Sequence, residues 1–428
     1  MQEKVNKIIN HLKIKVPVRN SNRDIYNDDI VATTRDTKSL RKFRPTSEQA
    51  TYTSGDKLVF QLPKSIIWNE GQAYIRFQLT GTLGATATYV CIQQGVHSIF
   101  SEVRVRYGSD EIIYIRKFNT IKSIENLINR RYEIYEGNFL EGFDIVNAIG
   151  TGNKRRIDNG SPYFLLPLYI DPLIKKDLHL DKQDERWEIE FILAPANECL
   201  VTDAGIPTFT LSNPWCWYQQ LEDHSHTKSI PRTFALKFTN WHFTQQNFGT
   251  GVSSITFIVN TQVRCARGLI IGLMPDATYN AYTDRKWDLG WSAQGVTKAN
   301  LRIQGKIIPP DTILIDPTSN SSELHIHNLR ALNAWDGRLG IGGPISEFVK
   351  YAEQNPLNNG MCLFFWNLQD NPGYEFIDGL NTTQLQNDFV FKWQELTTGT
   401  GNLYCWVESY EFMVYTCEKG KQMGKLIR

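Results

Sequence analysis

The sequence predicts an all-β chain built as two consecutive β-sandwiches or jelly rolls, each of about eight short strands. Three observations carry this. The chain has 428 residues, well beyond the roughly 150 of an average domain, so each half can bury its own core without disulfides or metal. Its apolar runs alternate with period two and are rich in Val, Ile, Thr, Tyr, Phe and Trp, which suit a pleated, half-buried surface. The two halves also repeat one another. The hairpin Val103–Ile115 (VRVRYGSDEIIYI) matches Leu301–Ile315 (LRIQGKIIPPDTILI), with Gly108 and Gly305 lying 197 residues apart. Trp215-Cys216-Trp217 matches Tyr404-Cys405-Trp406 at a spacing of 189, and Ala73–Leu79 matches Ala266–Leu273 at 194.

The elements follow in order. Val5, Ile8, Ile9 and Leu12 recur at helical spacing among Lys4, Lys7 and Lys13, which predicts a short basic amphipathic helix ended by Pro17. The polar stretch after it predicts an extended arm to residue 51, with Ile25, Tyr26, Ile30, Val31, Leu40 and Phe43 to bury. The first sandwich is expected over 52–226. Its strands are Lys57–Leu62, Gly71–Thr80, Phe100–Tyr107, Glu111–Arg116, Tyr163–Ile170, Arg186–Leu193 and Trp215–Leu221. Gly108-Ser109-Asp110 supplies a hairpin turn, and Ile121, Ile124, Leu127 and Ile128 give one face of a helix that Asn119 or Thr120 can cap.

The second sandwich is expected over 227–417. Its strands are Arg232–Thr244, Ser254–Gln262, Gly268–Met274, the hairpin Ala299–Ile315, Met361–Gln369, Asn387–Glu395 and Asn402–Thr416. Leu324–Trp335 and Ile345–Glu353 read as short helices. A basic tail occupies 418–428. A doubly wound α/β fold needs a helix after nearly every strand, and this pattern lacks them.

Composition narrows the function. The net charge is +1, so no global field steers the chain to nucleic acid. The basic charge sits at the ends: residues 1–44 hold eleven Lys/Arg against five Asp/Glu. Seven cysteines without a CxxC pair argue against a zinc site or a disulfide framework and predict buried free thiols. No apolar leader stretch and no run of about 18 apolar residues is present, so neither a signal peptide nor a membrane span is expected.

The catalytic motifs GxSxG, HExxH and the P-loop are absent. Leu339–Pro344 (LGIGGP) reads as a turn. His224-x-His226 and His325-x-His327 are the best metal candidates, since i and i+2 share a face on a strand. The first pair falls in a polar linker, however, and the second on an expected helix, where i and i+2 diverge. No metal, cofactor or enzymatic activity is therefore expected. Glu408 and Glu411 read as outward-facing strand residues. Eleven tryptophans fit sandwich cores and contacts between subunits. Trp287 and Trp291, in the loop Pro275–Val296, are the expected interface pair, and Lys154, Arg155 and Arg156, in the loop Asn138–Gly160, are the expected basic contact.

These parts resemble the double jelly-roll major capsid proteins, the lineage of adenovirus hexon, virophages and polinton-like viruses. The segments that carry the resemblance are Ser101–Ile128, Phe234–Pro275 and Phe389–Thr416, and it extends over about Tyr52 to Thr416. It implies two consecutive eight-stranded jelly rolls with short helices in the loops and an N-terminal arm. It also implies a homotrimer that tiles an icosahedral shell through trimer–trimer contacts, located in the virion and joined there by penton or minor capsid proteins. The basic arm, through Lys4, Lys7, Ile8, Leu12, Lys13, Arg41, Lys42 and Arg44, would meet neighbouring capsomers, an inner membrane or the genome. The alternative is a two-domain carbohydrate-binding protein or glycoside hydrolase, which would need an exposed tryptophan face or a cleft with paired carboxylates.

Overall fold

A computed structural model describes residues 38–69, 73–129, 139–144, 155–168, 170, 171, 173, 178–221, 233–252, 254–259, 261–291, 298–303, 306–314, 323–334, 363–369, 379–383, 390–394, 399–418 and 421–427. The first half contributes β1 (Lys38–Phe43), β2 (Thr51–Tyr52), β3 (Lys57–Gln61), β4 (Ile67–Trp68), β5 (Tyr74–Thr82), β6 (Val90–Ile92), β7 (Phe100–Tyr107) and β8 (Asp110–Arg116). Helix α1 (Phe118–Asn129) follows. Then come β9 (Tyr163–Pro167), β10 (Leu178–His179), β11 (Trp187–Leu193), the short helix α2 (Ala196–Cys199), β12 (Leu200–Thr202) and β13 (Thr208–Leu221).

The second half contributes β14 (Thr233–Phe248), β15 (Ser254–Ile258), β16 (Ala266–Pro275), α3 (Asp276–Asn280), α4 (Lys286–Leu289), β17 (Lys298–Ile303), β18 (Lys306–Leu314) and α5 (Glu323–Ala334). It closes with β19 (Leu363–Asn367), β20 (Val390–Gln394), β21 (Gly401–Glu418) and β22 (Lys421–Ile427).

The pairing order makes each half a jelly roll. In the second half one sheet runs β14-β21-β16-β19 and the other β15-β20-β17-β18, so the first strand lies beside the last and successive strands cross between sheets. The first half repeats this order. There β1 and β2 flank β13, followed by β5 and β9, and the facing sheet runs β3-β11-β7-β8. All these pairs are antiparallel, and the strands alternate as the sequence predicts. Along β3, for example, Leu58 and Phe60 are buried while Lys57 and Gln61 are exposed. The two hairpins of the repeat are β7–β8 and β17–β18, each followed by one helix. Gly108 makes the first turn at φ 59°, a conformation glycine adopts without steric penalty. Pro309 and Pro310 fall in β18, an edge strand, where a missing N–H is tolerated.

Two corrections concern strand limits, one in each roll. Residues 38–43, expected in the arm, form β1 and pair with β13 from Lys38↔Leu221 to Phe43↔Cys216. The polar segment orders because Phe43 packs edge-on against Phe60 and Tyr218 at 5.9 and 5.6 Å. The strands β14 and β21, at 16 and 18 residues, are longer than expected, because β14 runs on to Phe248 in the second roll's core and β21 to Glu418, which pairs with Lys421; the ends where β14 begins and β21 finishes pack on the first roll. Leu236, Phe238, Met413 and Tyr415 on those ends belong to one continuous apolar cluster with the first roll's core, while a separate cluster fills the second roll. The expected helix at Ile345–Glu353, the helix at residues 5–12, the pair His224 and His226, and Leu339–Pro344 lie outside the described residues.

Candidate functional site: the seam between the two rolls

Among the described residues, a dense set of polar and aromatic contacts lies where the rolls meet. The connection from β16 to β17, residues 276–291, carries α3 and α4 and lies across the first roll. Its backbone is fixed from that roll. The Gln93 amide donates to the Thr283 carbonyl at 2.7 Å, and the Thr202 amide donates to the Tyr282 carbonyl at 3.3 Å. A buried bond of this kind adds about 1 kcal/mol net, and leaving its donor unpaired costs more than forming it gains.

Glu198, 2% exposed on α2, is the hub. Its carboxylate accepts from the Lys117 ammonium, from Asn119 Nδ2 at 2.9 Å and from the Tyr279 hydroxyl at 2.7 Å. Two of these donors belong to the first roll and one to the second. The Glu198 carbonyl also accepts the Trp287 indole N–H at 2.7 Å. Burial, then the Glu198 charge, pushes the Tyr279 phenol well above its ordinary pKa, so it stays a donor. Lys286 is buried beside it and donates to the Asn197 and Tyr279 carbonyls. Burial lowers its pKa to about 8, opposed by the charge of Glu198. Glu198 carried one legible signal, a single carboxylate in the otherwise uncharged run Ala194–Thr202 (APANECLVT).

Arg155 completes this side of the seam. It is 1% exposed and grips Asp284 with Nη1–Oδ1 at 2.8 Å and Nη2–Oδ2 at 3.0 Å, while Nη1 also donates to the Ile92 carbonyl at 3.0 Å. Arg156 is engaged with Asp158, whose pKa burial alone would raise; the Arg156 hydrogen bonds and the Val90 amide outweigh burial and hold it low. The expected basic loop contact is thus corrected at Arg155, which is buried within the chain, while Arg156 stays partly exposed beside its carboxylate partner. Lys154 lies outside the described residues.

The expected interface tryptophans are corrected too. Trp287 and Trp291 are fully buried inside one chain, so the interface they fill is the one between its own two rolls. Trp291 packs edge-on against Tyr404 and Trp406 at 5.8 and 6.0 Å. Gly272 makes room for it: a Cβ there would sit 2.6 Å from the Trp291 ring. Farther along, Asp171 accepts the Thr239 amide and hydroxyl at 3.0 and 2.8 Å, and Glu125 on α1 accepts the Trp241 indole at 3.0 Å. Arg116 donates to the Phe243 carbonyl at 2.5 Å.

Glu408 and Glu411, expected to face outward, are buried. Glu408 lies 3.3 Å from the Arg267 guanidinium, and Glu411 accepts Asn240 Nδ2 at 3.1 Å. Residues 403–409 of β21 are buried on both faces, one against its own roll and one at the seam, which takes in Glu408; beyond them alternation resumes, and Glu411 falls on the buried side with Met413 and Tyr415.

The arm residues that are described do not form a free arm. Lys42 lies over Trp215 and Trp217 at 4.5 and 5.1 Å, and Arg44 lies over Trp215 at 4.6 Å. Arg41 is on the same strand. Lys4, Lys7, Ile8, Leu12 and Lys13 lie outside the described residues. His325 and His327 fall on α5 two positions apart, and His327 packs on Trp366 at 5.3 Å. Among the described residues no cluster of three or more His, Cys, Asp or Glu is placed to hold a metal ion, and no helix is long and apolar enough to cross a membrane.

No protein-family model matches the chain, and no curated protein sequence matches it. Solved structures do. A chain of the PBCV-1 virus capsid is similar with a TM-score of 0.62 at 12% identity, over 94% of this chain and 99% of that one. The Sputnik virophage structure gives 0.57 at 10% identity, over 96% and 93%. The fold is that of viral capsid proteins. The Faustovirus major capsid protein gives 0.53 at 9% identity, over 95% and 94%. The capsid fold thus spans both rolls and the seam, as the pairing order also indicates.

Proposed function

We propose that this chain is a viral major capsid protein whose two rolls form one block, three of which close into a pseudo-hexagonal capsomer that tiles an icosahedral shell. The carrying observation is the end-to-end fold likeness to capsid proteins, joined to a seam that holds the rolls in one fixed relation through Glu198, Arg155 and Trp291. A threefold ring of two similar walls per chain presents six similar sides. Contacts within the ring are cyclic, and contacts between rings are heterologous, which allows a facet to extend. The work of such a protein is geometric, and the described residues with the strongest chemistry all serve packing. The location follows as the virion, with penton or minor capsid proteins at the vertices. The residues before Lys38 serve as the basic arm that meets neighbouring capsomers, an anionic membrane or the genome.

The test is the mass of the purified chain by light scattering on a sizing column. A stable trimer is the expected result. A monomer that stays monomeric at tens of micromolar (far above the Kd of a stable complex) and binds a small ligand overturns the proposal.

A further inference from the structure

The internal repeat exposes a difference between the two rolls that bears on assembly. Strand registers make residues of the rolls equivalent. Trp217 pairs with Lys42 on one side and Tyr74 on the other, as Trp406 pairs with Phe243 and Ile270. Trp215 pairs with Arg76, as Tyr404 pairs with Gly272. The closing strand of each roll therefore carries an aromatic pair on the outer face of the same sheet.

In the second roll this pair is sealed. Tyr404 and Trp406 are almost wholly buried, beneath Trp291 and Phe243 and against the first roll's core cluster. In the first roll the equivalent pair is only half-buried. Where Phe243 stands in the second roll, Lys42 stands in the first, and where Gly272 admits Trp291, Arg76 stands instead, over Tyr163 at 4.0 Å. The ring contacts of Trp215 among the described residues are the cations Lys42 and Arg44, and Trp217 stacks on Tyr74 at 6.2 Å. Leu40 and Tyr163, 55% and 42% exposed, continue the face. None of β1, β5, β9 and β13 contains an Asp or Glu. Among the described residues, the first roll thus presents a half-buried sheet face of aromatic rings and cations whose strands hold no carboxylate.

We infer that this face, centred on Trp215 and Trp217 with Lys42, Arg44 and Arg76, is the surface on which a second copy of the chain docks its second roll. The argument is continuity with the seam. Within the chain, the flank of the first roll that carries β8 and α1 meets the edge of the second roll's aromatic face, with Arg116 over Phe243 at 5.5 Å and Glu125 accepting the Trp241 indole. In a ring the equivalent flank of the second roll, carrying β18 and α5, covers the first roll's face on the next copy. Each contact is then a version of the one before it, which is what a heterologous ring needs to close. Large aromatics flanked by Arg are the groups that anchor such interfaces, and their cations lose water when covered, which strengthens their hold on the rings. The choice of a second copy as partner rests on the assembly proposed above.

The test compares the wild-type chain with Trp217→Glu and with the double variant Lys42→Glu/Arg44→Glu by light scattering across a dilution series. The double variant changes exposed side chains only, so it remains informative if Trp217→Glu fails to fold, and circular dichroism checks folding in each case. The expected result is a wild-type trimer and folded variants whose association is weaker by about tenfold or more. Folded variants that stay trimeric at every dilution overturn this inference while leaving the capsid proposal standing; a monomeric wild type overturns both. An unchanged oligomer that loses retention of a single-stranded oligothymidine in the variants also overturns the inference, because it assigns the face to nucleic acid.

Discussion

The guanidinium of Arg155 in the first roll and the carboxylate of Asp284 in the second form a two-pronged ion pair, 2.8 and 3.0 Å between the paired atoms. Arg155 is 1% exposed, so that carboxylate offsets the cost of burying its charge. The pair ties the loop before β9 to the segment between α3 and α4, and with it the two rolls.

Asp284→Ala leaves a buried guanidinium without its carboxylate. Breaking one side of a buried pair costs about 3–5 kcal/mol, and the partial exposure of Asp284 places the expected loss at about 2–3 kcal/mol. Calorimetric unfolding checks this. The expected trace shows a lower, broadened or split transition as the rolls uncouple. A trace indistinguishable from wild type contradicts the role given to the pair.

Trp291 and Gly272 are expected to behave as one unit. Trp291→Ala removes a fully buried ring at the seam and is expected to lower stability by about 3–5 kcal/mol. Gly272→Val drives a side chain into that ring, so both variants expose the same aromatic cluster. Near-ultraviolet circular dichroism reads the loss of the packed Tyr404–Trp406 environment in each. Retention of the wild-type spectrum in Gly272→Val contradicts the close approach.

Lys286 makes stability depend on pH in a stated direction. Its pKa is about 8 in the fold against 10.5 for an ordinary lysine, so between those values the unfolded chain binds more protons than the folded one. Stability contributed by this site therefore rises with pH across that window, because deprotonation removes a buried charge. Urea unfolding of wild type and Lys286→Met at pH 7.5 and pH 10 isolates the effect. The wild type is expected to gain on the variant by up to about 3 kcal/mol, since each tenfold change in proton affinity corresponds to about 1.4 kcal/mol. A difference that stays flat or falls with pH contradicts the assignment.

The thiols of Cys199, Cys216 and Cys405 are buried, and burial raises the pKa of each. Thiolate is the reactive form. Native protein is expected to protect these three from iodoacetamide at pH 8, with labelling on denaturation. Mass spectrometry of tryptic peptides reads this directly, and rapid native labelling of Cys216 or Cys405 contradicts the packing described.

Much of the fold is legible in the sequence because it rests on local pattern. The alternation in Val103–Tyr107 and Ile112–Ile115, the turn at Gly108 and the helical face of Ile121 and Ile124 all follow from short-range rules, and the repeat places the same parts in the second roll. The seam is less legible. An aromatic in a loop reads alike whether it seals one chain or joins two, so Trp287 and Trp291 read as contacts between subunits. Arg155 reads as free basic charge because Asp284 is 129 residues away, a separation that no local pattern spans, whereas the partner of Arg156, Asp158, lies only two residues from it. Glu408 breaks the inside–outside rule because β21 is covered on both faces there, whereas Glu411 lies on the buried side of an alternating stretch, where a carboxylate reads as outward. Lys42 and Arg44 read as arm charge because nothing local signals the pairing of β1 with β13.

The central claim is that two locked rolls per chain make a six-sided block from three chains. Electron-microscope class averages of the purified oligomer test it most directly. The account predicts particles with threefold symmetry and a near-hexagonal outline, unchanged when residues 1–37 are removed. Particles of one chain, or rings of another symmetry, would contradict it.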